Sequence, residues 1–169
     1  MTHPIYTASI PVFTQMLGGL QAVLRKAEAH ATEKKIDANA LLQARLFPDM
    51  FPLLRQVQVT SDFAKSVSAR LAGVEVPKLD DNEQSFADLQ VRIATVLAFL
   101  GSLDAEQFAD AAQREIITQA GTPKEKRFTG QSYLFNYGLP HFFFHTTTAY
   151  AILRHNGVEV GKKDYIGTY

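Results

Sequence analysis

Apolar residues recur at three- and four-residue steps through four stretches of the chain, and each stretch predicts a helix. From about Ile5 to His30, Val12, Met16, Leu20, Val23 and Ala27 share one stripe beside Phe13, Leu17 and Leu24. Pro11 lies near the start of that pattern, so either Ser9 caps the regular part with the proline in the first turn or the helix kinks there. Both arrangements leave Ser9 beside the apolar stripe. A short helix capped by Asp37 and a break at Pro48 precede a longer helix from about Asp49 to Ala72, which Gly73 closes. Projected at about 100° per residue, the longer helix carries Leu53, Val57, Phe63, Ala64, Val67 and Leu71 on one broad arc. Gln56 and Thr60 interrupt that arc. Arg55, Gln58, Asp62, Lys65 and Ala69 fall on the opposite side, so Asp62 is expected to be an exposed and dispensable carboxylate.

The linker "VEVPKLDDNEQ" is polar and proline-marked, and Ser85 followed by Asp88 makes a capping start for a third helix. That helix runs to about Leu100 with Phe86, Leu89, Ile93, Val96 and Leu100 on one stripe, and Gly101 closes it. "REIITQAGTPKEKRFTG" has two short stretches around Gly-Thr-Pro, which suits a hairpin or an extended loop. The last helix contains "LPHFFFHTTTAYAILRHNG" and stops at Asn156-Gly157. Pro140 lacks a donor and crowds the carbonyl of Asn136, so this region is either two helices or one kinked helix. The tail "VEVGKKDYIGTY" has no regular period and is expected to lie across the surface. Together these elements predict an all-α protein, an antiparallel four-helix bundle with a short hairpin or extended loop before the last helix, forming a single domain over residues 1–169.

Composition narrows the function classes. With 46% hydrophobic and 20% charged residues the chain can fill one core. Seventeen basic and seventeen acidic residues cancel, and no basic cluster interleaves with aromatics, which argues against a nucleic-acid partner. The absence of cysteine removes disulfides, thiolate ligands and cysteine nucleophiles, and it agrees with a reducing compartment. The N-terminus lacks a leader pattern and no stretch is long enough to span a bilayer, so the expectation is a cytoplasmic protein with no membrane partner. "GKKD" at 161–164 lacks the glycine loop between strand and helix that would cradle phosphate.

The candidate chemistry lies in the last helix. His141 and His145 are one turn apart on one helical face, a spacing that can seed a metal site or mark two core histidines in need of polar partners. Gln56, Ser9 and Thr148 are the candidate partners, with Thr60 beside Gln56 on the same arc. His155 follows the last turn, where a cation favours the helix dipole, and His3 and His30 read as exposed terminal residues. Three consecutive phenylalanines, Phe142 to Phe144, cannot all point one way. One ring is expected to face a loop, the tail or another subunit, and a homodimer formed through a bundle face is the expected assembly.

These residues resemble the DinB/YfiT-like superfamily, four-helix proteins whose last long helix carries H-x-x-x-H and ends in a leucine-arginine turn, here His141, His145 and "ILRHNG". More closely, "SIPVF", "FPDMFPLLRQVQ" and "FHTTTAYAILRHNGVEVGK" resemble a bacterial family named only as a domain of unknown function, over nearly the whole chain. The superfamily resemblance implies a three-histidine centre holding a divalent transition metal such as zinc or nickel, with one histidine from the second long helix and two from the last. It also implies activities such as thiol-dependent transfer or isomerisation. This chain has no histidine between His30 and His141, and Gln56 is the best counterpart of the missing one.

Two functional expectations follow. In the first, the bundle binds a small molecule in a polar interior pocket formed by Ser9, Gln56, Thr60, His145 and Thr148, without a full metal triad. In the second, His141 and His145 face the interior and hold an ion with a weaker oxygen donor, and the protein is a metal-dependent enzyme of the thiol S-transferase or hydrolase kind.

Overall fold

The computed structural model describes residues 3–169. Four long helices build it: α2 (Ile10–Lys34), α4 (Leu53–Ala72), α5 (Phe86–Gly101) and α7 (Leu139–His155). Shorter helices are α1 (Pro4–Thr7), α3 (Ala38–Leu42), α6 (Gly130–Tyr133) and α8 (Lys162–Ile166), and the hairpin of β1 (Glu115–Thr118) and β2 (Lys126–Thr129) precedes α6. The core is one continuous cluster in which Phe13, Leu24, Leu53, Val67, Ile93 and Phe142 are fully buried.

Local signals place most boundaries. Asp37 caps α3 by accepting from the Asn39 amide, and Ser85 caps α5 by accepting from the Asp88 amide. Gly73 ends α4 in the left-handed region at φ 73°, and Gly157 turns the chain after α7 at φ 86°. α4 begins at Leu53 rather than near Asp49, because Pro52 is its N-cap at ψ 164° and holds the preceding residue out of the helix. The first helix is divided as well: α1 ends at Thr7, Ser9 is the N-cap of α2, and Pro11 sits in its first turn.

Helix directions follow from pairs of contacts. Gln56 meets His145, Phe63 meets His141 and Val67 meets Gly138, so α4 and α7 are antiparallel. The strap of residues 74–85 returns from the end of α4 to its beginning, where Arg55 binds Asp81 and Gln58 binds Glu83. α5 therefore starts beside the start of α4, and the two run in the same direction. His3 and Tyr6 lie against Glu106 and Phe108, just beyond the end of α5, which sets α2 antiparallel to α5. His3 is consequently packed, its side chain only 10% exposed, and is not the free terminal residue expected.

The proline-marked entry to the last helix takes a specific form. Residues Leu134–Gly138 make a single π-helical turn, after which Leu139 and Pro140 open α7. The wide turn absorbs the proline without breaking the helical axis into two. Gly138 lets α4 approach here, since a Cβ would stand 2.9 Å from a Val67 methyl.

Two further expectations are corrected. The tail is not irregular: Val158 and Val160 are buried anchors, and α8 packs on α2 where Gly19 leaves room for its backbone. Asp62 is not free in solvent either. Arg92 of α5, almost fully buried, reaches Asp62 at 2.7 Å, Glu83 at 2.8 Å and Asp81 at 3.1 Å, while Lys65 reaches Asp62 at 3.1 Å. Gln58 and Ala69, expected on the same outer face, are buried as well.

Candidate functional site

The site is built on one helix pair. Gln56 interrupts the apolar arc of α4 and points towards α7, where its Oε1 lies 2.7 Å from His145 Nδ1. Its Nε2 donates to the carbonyl of Phe51 at 3.2 Å, in the loop that leads into α4. A carbonyl can only accept, so the carboxamide must turn its NH2 to Phe51 and its oxygen to His145. Nδ1 of His145 therefore carries the proton and donates to Gln56, which leaves the Nε2 lone pair as an acceptor. Among the described residues Nε2 has no hydrogen-bond partner in the protein, and Ser68 Oγ is the one buried side-chain polar atom there without a partner. Nε2 thus opens to the outside.

Electrostatics hold the ring neutral. Burial pushes the His145 pKa down to about 4, with the His141 ring and the Arg55 guanidinium opposing protonation further. His141 is also held below the usual imidazole range, first by the partial desolvation of its ring against Phe63 and Tyr137 and then by Lys126.

Around His145 lies an open cavity of about 220 Å³ bordered by Asp49, Met50, Phe51, Gln56 and Phe144. Its walls come from "FPDMFP", a segment that two prolines keep out of helix, and Phe51 and Phe144 are 49% and 56% exposed. Sequence reasoning did not include Asp49, Met50, Phe51 or Phe144 in the site. The available signal was large apolar residues in a proline-bounded loop one turn before Gln56.

The three hydroxyls expected in the pocket are engaged elsewhere. Ser9 Oγ donates to the Ile5 carbonyl at 2.6 Å, Thr60 Oγ1 to the Gln56 carbonyl at 2.9 Å and Thr148 Oγ1 to the Phe144 carbonyl at 2.7 Å. Each satisfies the preceding turn of its own segment, as buried serines and threonines in helices do. Gln56 and His145 are brought together without them.

His141 does not face the interior. It is exposed at the bundle edge, where its ring stacks on Phe63 with centroids 4.7 Å apart and planes 6° from parallel, and it also meets Tyr137 at 4.5 Å. The three-histidine centre implied by the superfamily does not fit these residues. The place of the third imidazole holds Gln56, whose oxygen is committed to His145 Nδ1 and whose nitrogen is committed to Phe51. Among the described residues no group of three histidine, cysteine, aspartate or glutamate side chains is arranged to hold a metal ion.

The comparisons agree with this architecture. Residues 5–166 match the model of a family described as "Domain of unknown function (DUF1993)". The chain belongs to that family. It is also similar to a DinB family member protein from Shewanella denitrificans, whose crystal structure it matches at 45% identity with a TM-score of 0.92, covering 98% of this chain and 93% of that one. No curated protein matches. This DUF1993 chain is thus a DinB-like helical bundle. Among its described residues no helix is long and apolar enough to cross a membrane.

Proposed function

We propose that this protein binds a small molecule at His145, using the neutral imidazole as a hydrogen-bond acceptor at the floor of the cavity between Phe51 and Phe144. The observation that carries the reading is the relay from the Phe51 carbonyl through Gln56 to His145 Nδ1, which fixes the tautomer and turns Nε2 outward as a base. An imidazole with its pKa near 4 stays unprotonated at neutral pH, so it recognises a donor and not an anion. The apolar rings at the rim favour a ligand with an apolar body and a single O–H or N–H group.

Phenol is a suitable probe, since it offers one O–H on one ring. Long-range 1H–15N spectra of the imidazole should show Nδ1 protonated and Nε2 bare, and phenol should move the Nε2 resonance together with signals of Phe51 and Phe144. A His145 ring protonated on Nε2, or an Nε2 resonance that phenol leaves unmoved, rules the reading out.

A further inference from the structure

A second cavity, about 270 Å³ in volume, lies on the adjacent stripe of α4, closed by the hairpin and the π-helical turn. Phe63, Ser66 and Arg70 line it from α4, and Tyr133 and Tyr137 from the segment before α7. The charges around it are unequally satisfied. Arg55 is bound by Asp81, and Asp62 is shared between Lys65 and Arg92. Arg70 is half-buried, and its one hydrogen bond among the described residues runs from Nη1 to the Tyr133 phenol oxygen at 3.0 Å, with no carboxylate paired to it. Most of a guanidinium's five donors remain open, in a fork that matches a carboxylate. Burial keeps the Tyr133 phenol protonated, so it adds no negative charge to compensate Arg70.

The walls are aromatic. Phe63 and Tyr137 lie with centroids 5.9 Å apart, and Tyr133 stacks on Tyr137 at 5.6 Å with planes 21° apart. Positions 133 and 137 are one turn apart, so both rings project from the same helical face and meet above the cleft.

We infer that the cleft between α4, the hairpin and the π-helical turn binds a small aromatic monocarboxylate, with Arg70 taking the carboxylate and Phe63 and Tyr137 flanking the ring. The volume lies just below the roughly 300–1,000 Å³ of drug-sized sites, which limits the ligand to about one ring. A single unpaired guanidinium, with Asp62 at the cleft edge, favours one negative charge over the two of a phosphate monoester. The site is distinct from the cavity at His145, from which the Phe63 and His141 rings separate it.

Benzoate and its neutral isostere benzamide test the inference on the full chain by NMR titration. Benzoate should shift the Arg70 side-chain signal and give intermolecular NOEs to the Phe63 and Tyr137 rings, while benzamide binds at least about tenfold more weakly. Arg70→Gln should weaken benzoate by a similar factor, and Phe144→Ala, in the other cavity, should leave its Kd within about twofold. Equal binding of the two probes overturns the inference, as does the absence of those NOEs in the wild type, which requires no variant to fold. Loss of benzoate binding in Phe144→Ala places benzoate at His145 and also overturns it.

Discussion

Gln56 on α4 and His145 on α7 share a 2.7 Å hydrogen bond between two buried side chains, and the Phe51 carbonyl holds the other end of the carboxamide. Replacing Gln56 by leucine keeps the volume but strands a buried N–H on His145 and the Phe51 carbonyl. The expected cost is about 1–3 kcal/mol in urea unfolding, and His145→Ala should cost a similar amount by stranding Gln56. A Gln56→Leu variant as stable as the parent would mean that water replaces the carboxamide without penalty.

The depressed pKa of His145 makes stability depend on pH in a defined window. The unfolded imidazole titrates near 6.5 and the folded one at about 4, so between those values the unfolded state binds the extra proton. Stability should be fully present above pH 6.5 and should fall as pH drops towards 4, by roughly 3 kcal/mol in all. His141, also lowered, adds in the same direction. Denaturant midpoints measured across pH 4–7 for the parent and for His145→Gln isolate the contribution, since the carboxylate titrations common to both cancel. Parallel curves for the two proteins would remove His145 as the source.

Arg92 organises the return of the strap. Its guanidinium, 1% exposed, binds Asp62, Asp81 and Glu83 and also donates to Ser61 Oγ at 2.8 Å. Arg92→Ala leaves Glu83 buried with no cation, and the expected loss is about 3 kcal/mol. Asp62→Asn should cost only about 1 kcal/mol, because Arg92 keeps its other carboxylates and Asp62 is partly exposed. The ranking of the two variants in thermal unfolding checks the network. Equal losses would assign its strength to the Asp62 pair alone.

The miss at Asp62 shows what periodicity can and cannot convey. An apolar stripe locates the strongest packing face of a helix, and for α4 it correctly turned Gln56 towards α7. It is silent about a second neighbour that meets the helix through polar groups, as α5 and the strap meet Gln58, Ser61 and Asp62. The tail was illegible for a related reason, because Val158 and Val160 are too few to make a period. The cap residues Asp37 and Ser85 were readable, since the side-chain bonds that set them span only two or three residues. The cavity walls at His145 come from a loop, where side-chain direction obeys no period, so only the helical half of that site could be found by projection.

Metal loading is a direct test of the donor set. With Gln56 occupied at both ends and His141 exposed on Phe63, zinc or nickel should find no third protein ligand. Protein purified without a polyhistidine tag should carry well under one ion per chain, and chelators should leave its melting temperature unchanged. Stabilisation by a bound ion grows with its concentration over Kd, so a tight site would reveal itself as a melting temperature that rises with added metal and falls on chelation. Stoichiometric zinc or nickel that is lost in both His141→Ala and His145→Ala would show that Gln56 surrenders its hydrogen bonds to let an ion in.

Within the tail, α8 lies close against the backbone of α2 at Gly19. A Cβ on Gly19 would stand 2.7 Å from the Tyr165 carbonyl oxygen and 3.2 Å from that of Asp164, and neither oxygen can rotate away as a side chain would. Gln15 Nε2 donates to the Ile166 carbonyl at 3.0 Å, and Lys26 binds Asp164 at 2.7 Å, so α8 is fixed to α2 at its middle and at its C-terminal end. Gly19→Ala must therefore push α8 outward and break those bonds, despite the better helix propensity of alanine. The expected net loss is about 1–3 kcal/mol. Amides of residues 161–167 should exchange faster while those at the centre of α4 keep their protection relative to global unfolding. The substitution Gly18→Ala, at a position where a Cβ meets nothing within 4 Å, is the matched control and should be neutral or slightly stabilising. If Gly19→Ala resembles Gly18→Ala in both stability and exchange, the close approach of α8 to α2 does not hold the tail.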